Sequence, residues 1–152
     1  MADARQLHLF KSSRQRGVAP PPPKEFSLHC QVADTLRRWA IPGWLWQHVP
    51  GGEARPAEFV NGKRVSFAGQ RLQRMGFMPG WPDFILLAPT TTWPKLHMLE
   101  LKRRGGKLSD AQHAIQLWAL ANHCPFEVVD NYPDALDVLK HWGAVRAGIQ
   151  VQ

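Results

Sequence analysis

Apolar and polar positions recur with two different periods along this chain, and the switches between them mark out its elements. From Lys24 to Ala40 the residues Glu25, His29, Val32 and Leu36 fall at i, i+4, i+7 and i+11, one stripe of a helix. Pro42-Gly43 breaks that pattern, and Trp44-Leu45-Trp46-Gln47-His48-Val49 reads as a strand ending at Pro50-Gly51-Gly52. Ser66 to Met75 returns to helical spacing, with Phe67, Leu72 and Met75 apolar, Arg71 and Arg74 polar, and Gly76 as the stop. Two further strands follow, the apolar run Phe84-Ile85-Leu86-Leu87 and the alternating Leu99-Glu100-Leu101-Lys102. Ser109-Asp110-Ala111-Gln112 is a capping box that opens a helix through Ala121, with Ala111, Ala114, Ile115, Trp118 and Ala121 as its expected apolar stripe. Phe126-Glu127-Val128-Val129 is a last strand, and Pro133 to Trp142 a last helix with proline in its first turn and Gly143 behind it.

The order helix, strand, short helix, strand, strand, helix, strand, helix predicts an α/β protein, a mixed sheet flanked by helices. Residues 1 to 23 end in Ala19-Pro20-Pro21-Pro22-Pro23 and read as a disordered, basic, proline-rich arm. The expected domain runs from 24 to 143, with 144 to 152 as a C-terminal tail.

The chemistry concentrates in two short signatures. Gly80-Trp81-Pro82-Asp83 opens the first central strand, and Glu100-Leu101-Lys102 closes the second. Residues i and i+2 of a strand share a face, so Glu100 and Lys102 project together while Leu99 and Leu101 point the other way. A hairpin between the strands would bring Asp83 to Glu100. Two acids that close repel, which raises a pKa unless a hard cation such as Mg2+ accepts their oxygens. Glu-x-Lys alone carries little weight, since about half a match is expected by chance in a chain of this length and composition. The Gly-Pro turn, the paired strands and the capped helix around it carry the argument. Glu25 lies on an inward stripe, which calls for a partner or a metal; equally, an acid in a first helical turn suits the helix dipole.

Charge and composition narrow the classes. The chain has 152 residues, seven tryptophans and a net charge of +7, enough for one domain with a sizeable core. Residues 1 to 24 hold five Lys/Arg against one Asp, so more than half of the excess lies in the arm. A pI near 10.0 favours polyanions, of which nucleic acid is the commonest. Lys63, Arg64, Arg71 and Arg74, with Arg103 and Arg104 in the basic turn after Lys102, are the candidate phosphate contacts. Cys30 and Cys124 lack metal-ligand spacing and read as reduced core thiols of an intracellular protein. No segment is long enough for a signal peptide or a membrane span. His29, His48, His97, His113, His123 and His141 show no paired ligand pattern, so structural zinc is not expected.

With these residues assembled, the chain resembles a stand-alone VRR-NUC domain of the PD-(D/E)XK nuclease superfamily, over roughly Glu25 to Trp142. The matching residues are Glu25 with His29, then His48-Val49-Pro50-Gly51-Gly52-Glu53 with Arg55, then Met75-Gly76-Phe77-Met78-Pro79-Gly80-Trp81-Pro82-Asp83, then Glu100-Leu101-Lys102, and Ser109 with Gln112. One departure stands out: many relatives carry Asn where this chain has Pro50.

The resemblance implies a restriction-endonuclease-like core of αβββαβ order with an inserted short helix. It also implies a metal-dependent deoxyribonuclease. Asp83 and Glu100 would hold Mg2+ or Mn2+ with the Leu101 carbonyl, and Lys102 would orient water and stabilise the transition state. Glu25 and Gln112 would lie beside the metal, and His48 and Arg55 would contact DNA. Similar single-domain relatives are phage and bacterial enzymes acting as homodimers on branched DNA, including four-way junctions, in the cytoplasm of a bacterial or phage-infected cell. A flap, nicking or restriction-like nuclease keeps the same chemistry with another substrate. A non-catalytic DNA-binding accessory would use the basic arm and patch alone.

Overall fold

In a computed structural model of the chain, residues 24–50 and 58–150 are described. Their elements run α1 (Lys24–Trp39), β1 (Leu45–His48), β2 (Glu58–Val60), β3 (Lys63–Val65), α2 (Phe67–Arg74), β4 (Phe84–Leu87), β5 (Leu96–Leu101), α3 (Asp110–Ala121), β6 (Phe126–Val129) and α4 (Tyr132–His141). The main sheet has the order β1-β4-β5-β6. Its first three strands pair antiparallel, and β6 joins β5 in parallel, the crossover being made by α3. This is the mixed sheet flanked by helices that the alternating elements predict.

Strand alternation decides which layer each side chain enters. Phe84, Leu86, Leu99 and Leu101 turn to one face and form the core with Leu28, Val32 and Leu36 of α1 and Leu136 and Leu139 of α4. The residues between them on β5, Met98 and Glu100, therefore face α3 on the other side. Burial of this many large aliphatic side chains, each worth roughly 1.5–3 kcal/mol, sets the sheet against α1 and α4. Thr35 fixes the two helices further: its hydroxyl lies 2.8 Å from the Gln31 carbonyl, to which it donates, and 2.7 Å from the Tyr132 hydroxyl.

Three features differ from the expectation. The stretch after β1 contains a β2–β3 hairpin, turned by Asn61 and Gly62, both at positive φ (51° and 75°). Asn-Gly at a two-residue turn is the ordinary hairpin signal, because both positions need a left-handed backbone. The stripe expected on α3 is also displaced: Ala119 is its buried residue, Gln112, Ile115 and Gln116 are half-buried, and Ala114, Trp118 and Ala121 are exposed. The residues that follow Gly143 stay with the packed body, since Ala144 and Val145 are buried and Val145 bridges Ala40. Among the described residues, no helix is long and apolar enough to cross a membrane.

Candidate active site

The β4–β5 register supplies the centre of the site. Phe84 pairs with Leu99, so Asp83, one step before β4, meets the chain at Glu100, the next residue of β5. Asp83 Oδ2 accepts the backbone N–H of Leu101 at 2.8 Å, and the Asp83 carbonyl accepts the N–H of Val49 at 2.8 Å. These two bonds hold the aspartate between β1 and β5. The turn that delivers it is tight: Gly80 has φ +95°, and a Cβ there would lie 2.5 Å from the Ala111 carbonyl oxygen. Only glycine lets the turn press on the first turn of α3.

Glu100 is 1% exposed, yet it has charged and polar partners. Lys102 Nζ lies 2.6 Å from Glu100 Oε1 and donates to Gln112 Oε1 at 2.9 Å. Gln112 Nε2 donates to the same Glu100 oxygen. The capping box orients Gln112, since Oε1 also accepts the Ser109 N–H at 2.9 Å while the Ser109 hydroxyl accepts the Gln112 N–H at 3.3 Å. Gln112 is thus both a cap and a ligand of the ion pair. Among the described atoms, Glu100 Oε2 is buried with no hydrogen-bond partner. A buried carboxylate oxygen left so is costly unless a proton or a cation serves it.

Both carboxyls are held above their ordinary range. Burial pushes Asp83 up to about 6, against the lowering effect of the Leu101 N–H and the Lys102 charge and with some help from Glu25. Burial, then the charge of Asp83, pushes Glu100 up to about 7, opposed by Lys102. Desolvation rather than mutual repulsion is therefore the leading cause, which revises the simple picture of two repelling acids. A divalent cation would relieve both effects at once.

Glu25 is half-buried at the start of α1, close enough to act on Asp83 electrostatically. Four residues on, His29 enters the site, a position sequence reasoning matched but gave no role. Its Nε2 lies 3.7 Å from Asp83 Oδ2, and its Nδ1 lies 3.1 Å from Nε2 of His48. The signal was present in the i, i+4 spacing of Glu25 and His29. His48, half-buried at the end of β1, sets its ring edge on Phe84 with centroids 5.2 Å apart. The histidines unpaired in sequence are paired in space: one donor atom each from His29, His48 and Asp83 lie within 4.8 Å of one another.

The remaining candidates scatter. Arg103 and Arg104 are exposed just beyond Lys102, and Arg71 and Arg74 are exposed on α2. Lys63 and Arg64 lie in β3, and Arg55 falls outside the described residues, as does the arm. Cys30 is exposed and Cys124 half-buried; both are free thiols, so neither is a core residue as expected. Trp44 and Trp142 are buried, whereas Trp93 is 77% exposed.

Fold and site together define an α/β protein whose mixed sheet, flanked by helices, carries a buried acid pair and a lysine at one end. Among solved structures the chain is similar to one described as a VRR_NUC domain, with 13% identity over 78% of this chain and 96% of that one and a TM-score of 0.48. No family model and no curated protein matches the chain.

Proposed function

We propose that this chain is a divalent-metal-dependent endonuclease that hydrolyses phosphodiester bonds in branched DNA, including four-way (Holliday) junctions, as a homodimer. The carrying observation is the buried Asp83–Glu100 pair with Lys102 salt-bridged beside it and Glu100 Oε2 lacking a hydrogen-bond partner. Asp83, Glu100 and the Leu101 carbonyl offer only oxygen donors, the set that Mg2+ or Mn2+ takes. When bound, the cation supplies neutralising charge at the phosphate and lowers the pKa of the attacking water.

The chain's own residues do the rest. Lys102, held by Glu100 and Gln112, presents a fixed positive charge where the phosphate gains negative charge in the transition state. Gln112 acts as a positioning residue, because the capping box leaves its amide one orientation that serves Lys102 and Glu100 together. Glu25 adds negative charge on the side of Asp83 and orients water there. Water attacks phosphorus, the bond to the 3′ oxygen breaks, and a 5′-phosphate and a 3′-hydroxyl result. Arg55, Lys63, Arg64, Arg71, Arg74, Arg103 and Arg104 serve the flanking phosphates, in the company of the basic arm. Two symmetric nicks in a junction need two sites related by a two-fold axis, hence the dimer.

The test is cleavage of labelled four-way junction, flap and linear duplex DNA with Mg2+ or EDTA. Metal-dependent paired nicks in the junction, reduced by about 10²–10³-fold in Lys102→Ala, are expected. Tight binding without cutting under any divalent metal would move the chain to the accessory class.

A further inference from the structure

We propose that His29, His48 and Asp83 form a second divalent-cation site, rich in nitrogen and selective for Co2+ and Zn2+ over Mg2+, with Asp83 shared between it and the oxygen site. The argument starts from where the three side chains come from. α1 delivers His29, the end of β1 delivers His48, and the turn before β4 delivers Asp83. The Val49 N–H bond to the Asp83 carbonyl ties the last two together, and the ring contacts of His29 and His48 with Phe84, at 6.2 Å and 5.2 Å between centroids, set both imidazoles over one buried side chain. Backbone pairing and ring packing therefore hold the three residues side by side.

The distances suit a metal. His29 Nδ1 lies 3.1 Å from His48 Nε2, while the other His29 nitrogen, Nε2, lies 3.7 Å from Asp83 Oδ2. Donors on a tetrahedral ion with bonds of about 2.1 Å sit about 3.4 Å apart, so a single His29 nitrogen has to serve both partners. One donor from each residue falls within 4.8 Å of the others, so rotation about side-chain torsions is enough to close the set. Two facing imidazole nitrogens at 3.1 Å must share either a proton or a cation, since two lone pairs or two N–H groups would repel.

Donor type separates this site from its neighbour. Imidazole nitrogen favours Zn2+ and the later transition ions, whereas Mg2+ prefers oxygen and sheds water reluctantly. Asp83 presents a carboxylate to both sets, and a shared ligand of this kind is how two-cation sites on phosphate substrates are assembled. Only the oxygen site belongs to the nuclease reading; the nitrogen site stands on its own geometry.

The experiment titrates the metal-free full-length chain with Co2+, followed by visible absorption and by calorimetry, with no DNA present. Wild type should bind Co2+ with the spectrum of a nitrogen-ligated ion, and excess Mg2+ should leave that signal in place. His48→Phe keeps the ring on Phe84 but removes the donor. It should weaken this class by more than the roughly 10–100-fold that loss of a supporting outer-shell partner costs. Glu100→Gln should retain the signal, so failure of the nuclease reading and failure of this one are told apart. The exposed His113, His123 and His141 cancel in the comparison. Equal stoichiometry and affinities within twofold for wild type and His48→Phe, or displacement of all Co2+ by Mg2+, would overturn the site and leave a hydrogen-bonded histidine pair.

Discussion

The two ends of the four-stranded sheet bury titratable groups in opposite ways. At the end carrying Asp83 and Glu100, charges are surrounded by other charges and amides: Lys102, Gln112, His29 and Glu25. At the other end His97, 2% exposed, lies between the rings of Trp44 and Trp142 at 5.1 Å and 5.0 Å, with Nδ1 lacking a partner among the described atoms. Burial lowers its pKa from 6.5, which keeps it a neutral aromatic filler. The same desolvation thus raises two carboxyls where charged and polar partners converge and leaves a neutral ring where they do not.

Glycine substitutions should separate the ends most sharply. Gly80→Ala places a methyl 2.5 Å from the Ala111 carbonyl, whereas Gly43→Ala at the far end, also at positive φ, meets only the ring of Pro89 at 3.1 Å. A proline ring can give by tenths of an ångström and a helix backbone cannot. Chemical denaturation should show Gly80→Ala losing about 2–4 kcal/mol and Gly43→Ala about 1 kcal/mol. Only the first should also lower Mg2+-dependent cleavage, because it displaces α3 and Gln112. Equal losses would dissolve the contrast.

Stability against pH should show two limbs of opposite sign. Asp83 and Glu100 have folded pKa values of about 6 and about 7, above their unfolded 3.8 and 4.5. The folded state therefore binds their protons more tightly, and the metal-free protein loses stability as pH rises from about 4 through about 7, by on the order of 2–3 kcal/mol per carboxyl. His97 works in reverse: its folded pKa is depressed, so its contribution is present above 6.5 and lost as pH falls below it. Glu100→Gln should flatten the first limb, His97→Phe the second. Mg2+ should suppress the first limb and leave the second alone; a Mg2+ effect on both would contradict the assignment.

The smallest effect concerns surface charge at the site end. Arg103→Ala and Arg104→Ala should each weaken DNA binding modestly and reduce the slope of log K against log salt by about 0.9. Removing Lys95 at the far end, whose ammonium is engaged by the Pro89 and Thr92 carbonyls, should leave that slope unchanged.

Much of the architecture could be read in the residues, because strand alternation and helix capping are local. Glu100 and Lys102, alternating with Leu99 and Leu101, place the acid and the lysine on one face, and Ser109 with Gln112 marks the start of α3. The β2–β3 turn is equally legible in Asn61-Gly62, a pair that suits a two-residue hairpin turn. The α3 stripe misled for a physical reason. Its sheet-facing side carries Gln112 and Gln116 as well as Ile115 and Ala119, since it meets Glu100 as well as apolar strands, so hydrophobicity points away from the true contact face. The His29–His48 pair was not legible at all: it exists only after α1 packs on the sheet.

The site's hydrogen bonds join partners 10, 12, 18 and 19 residues apart along the chain, while the Thr35–Tyr132 bond that clasps α1 to α4 spans 97. Short spans close quickly and with little entropy lost, so Asp83, Glu100, Lys102 and Gln112 can gather as soon as the central segment has emerged. The long clasp must wait for α4. The acid pair is thus closed by local links, and the helices that cover it are clasped by a distant one.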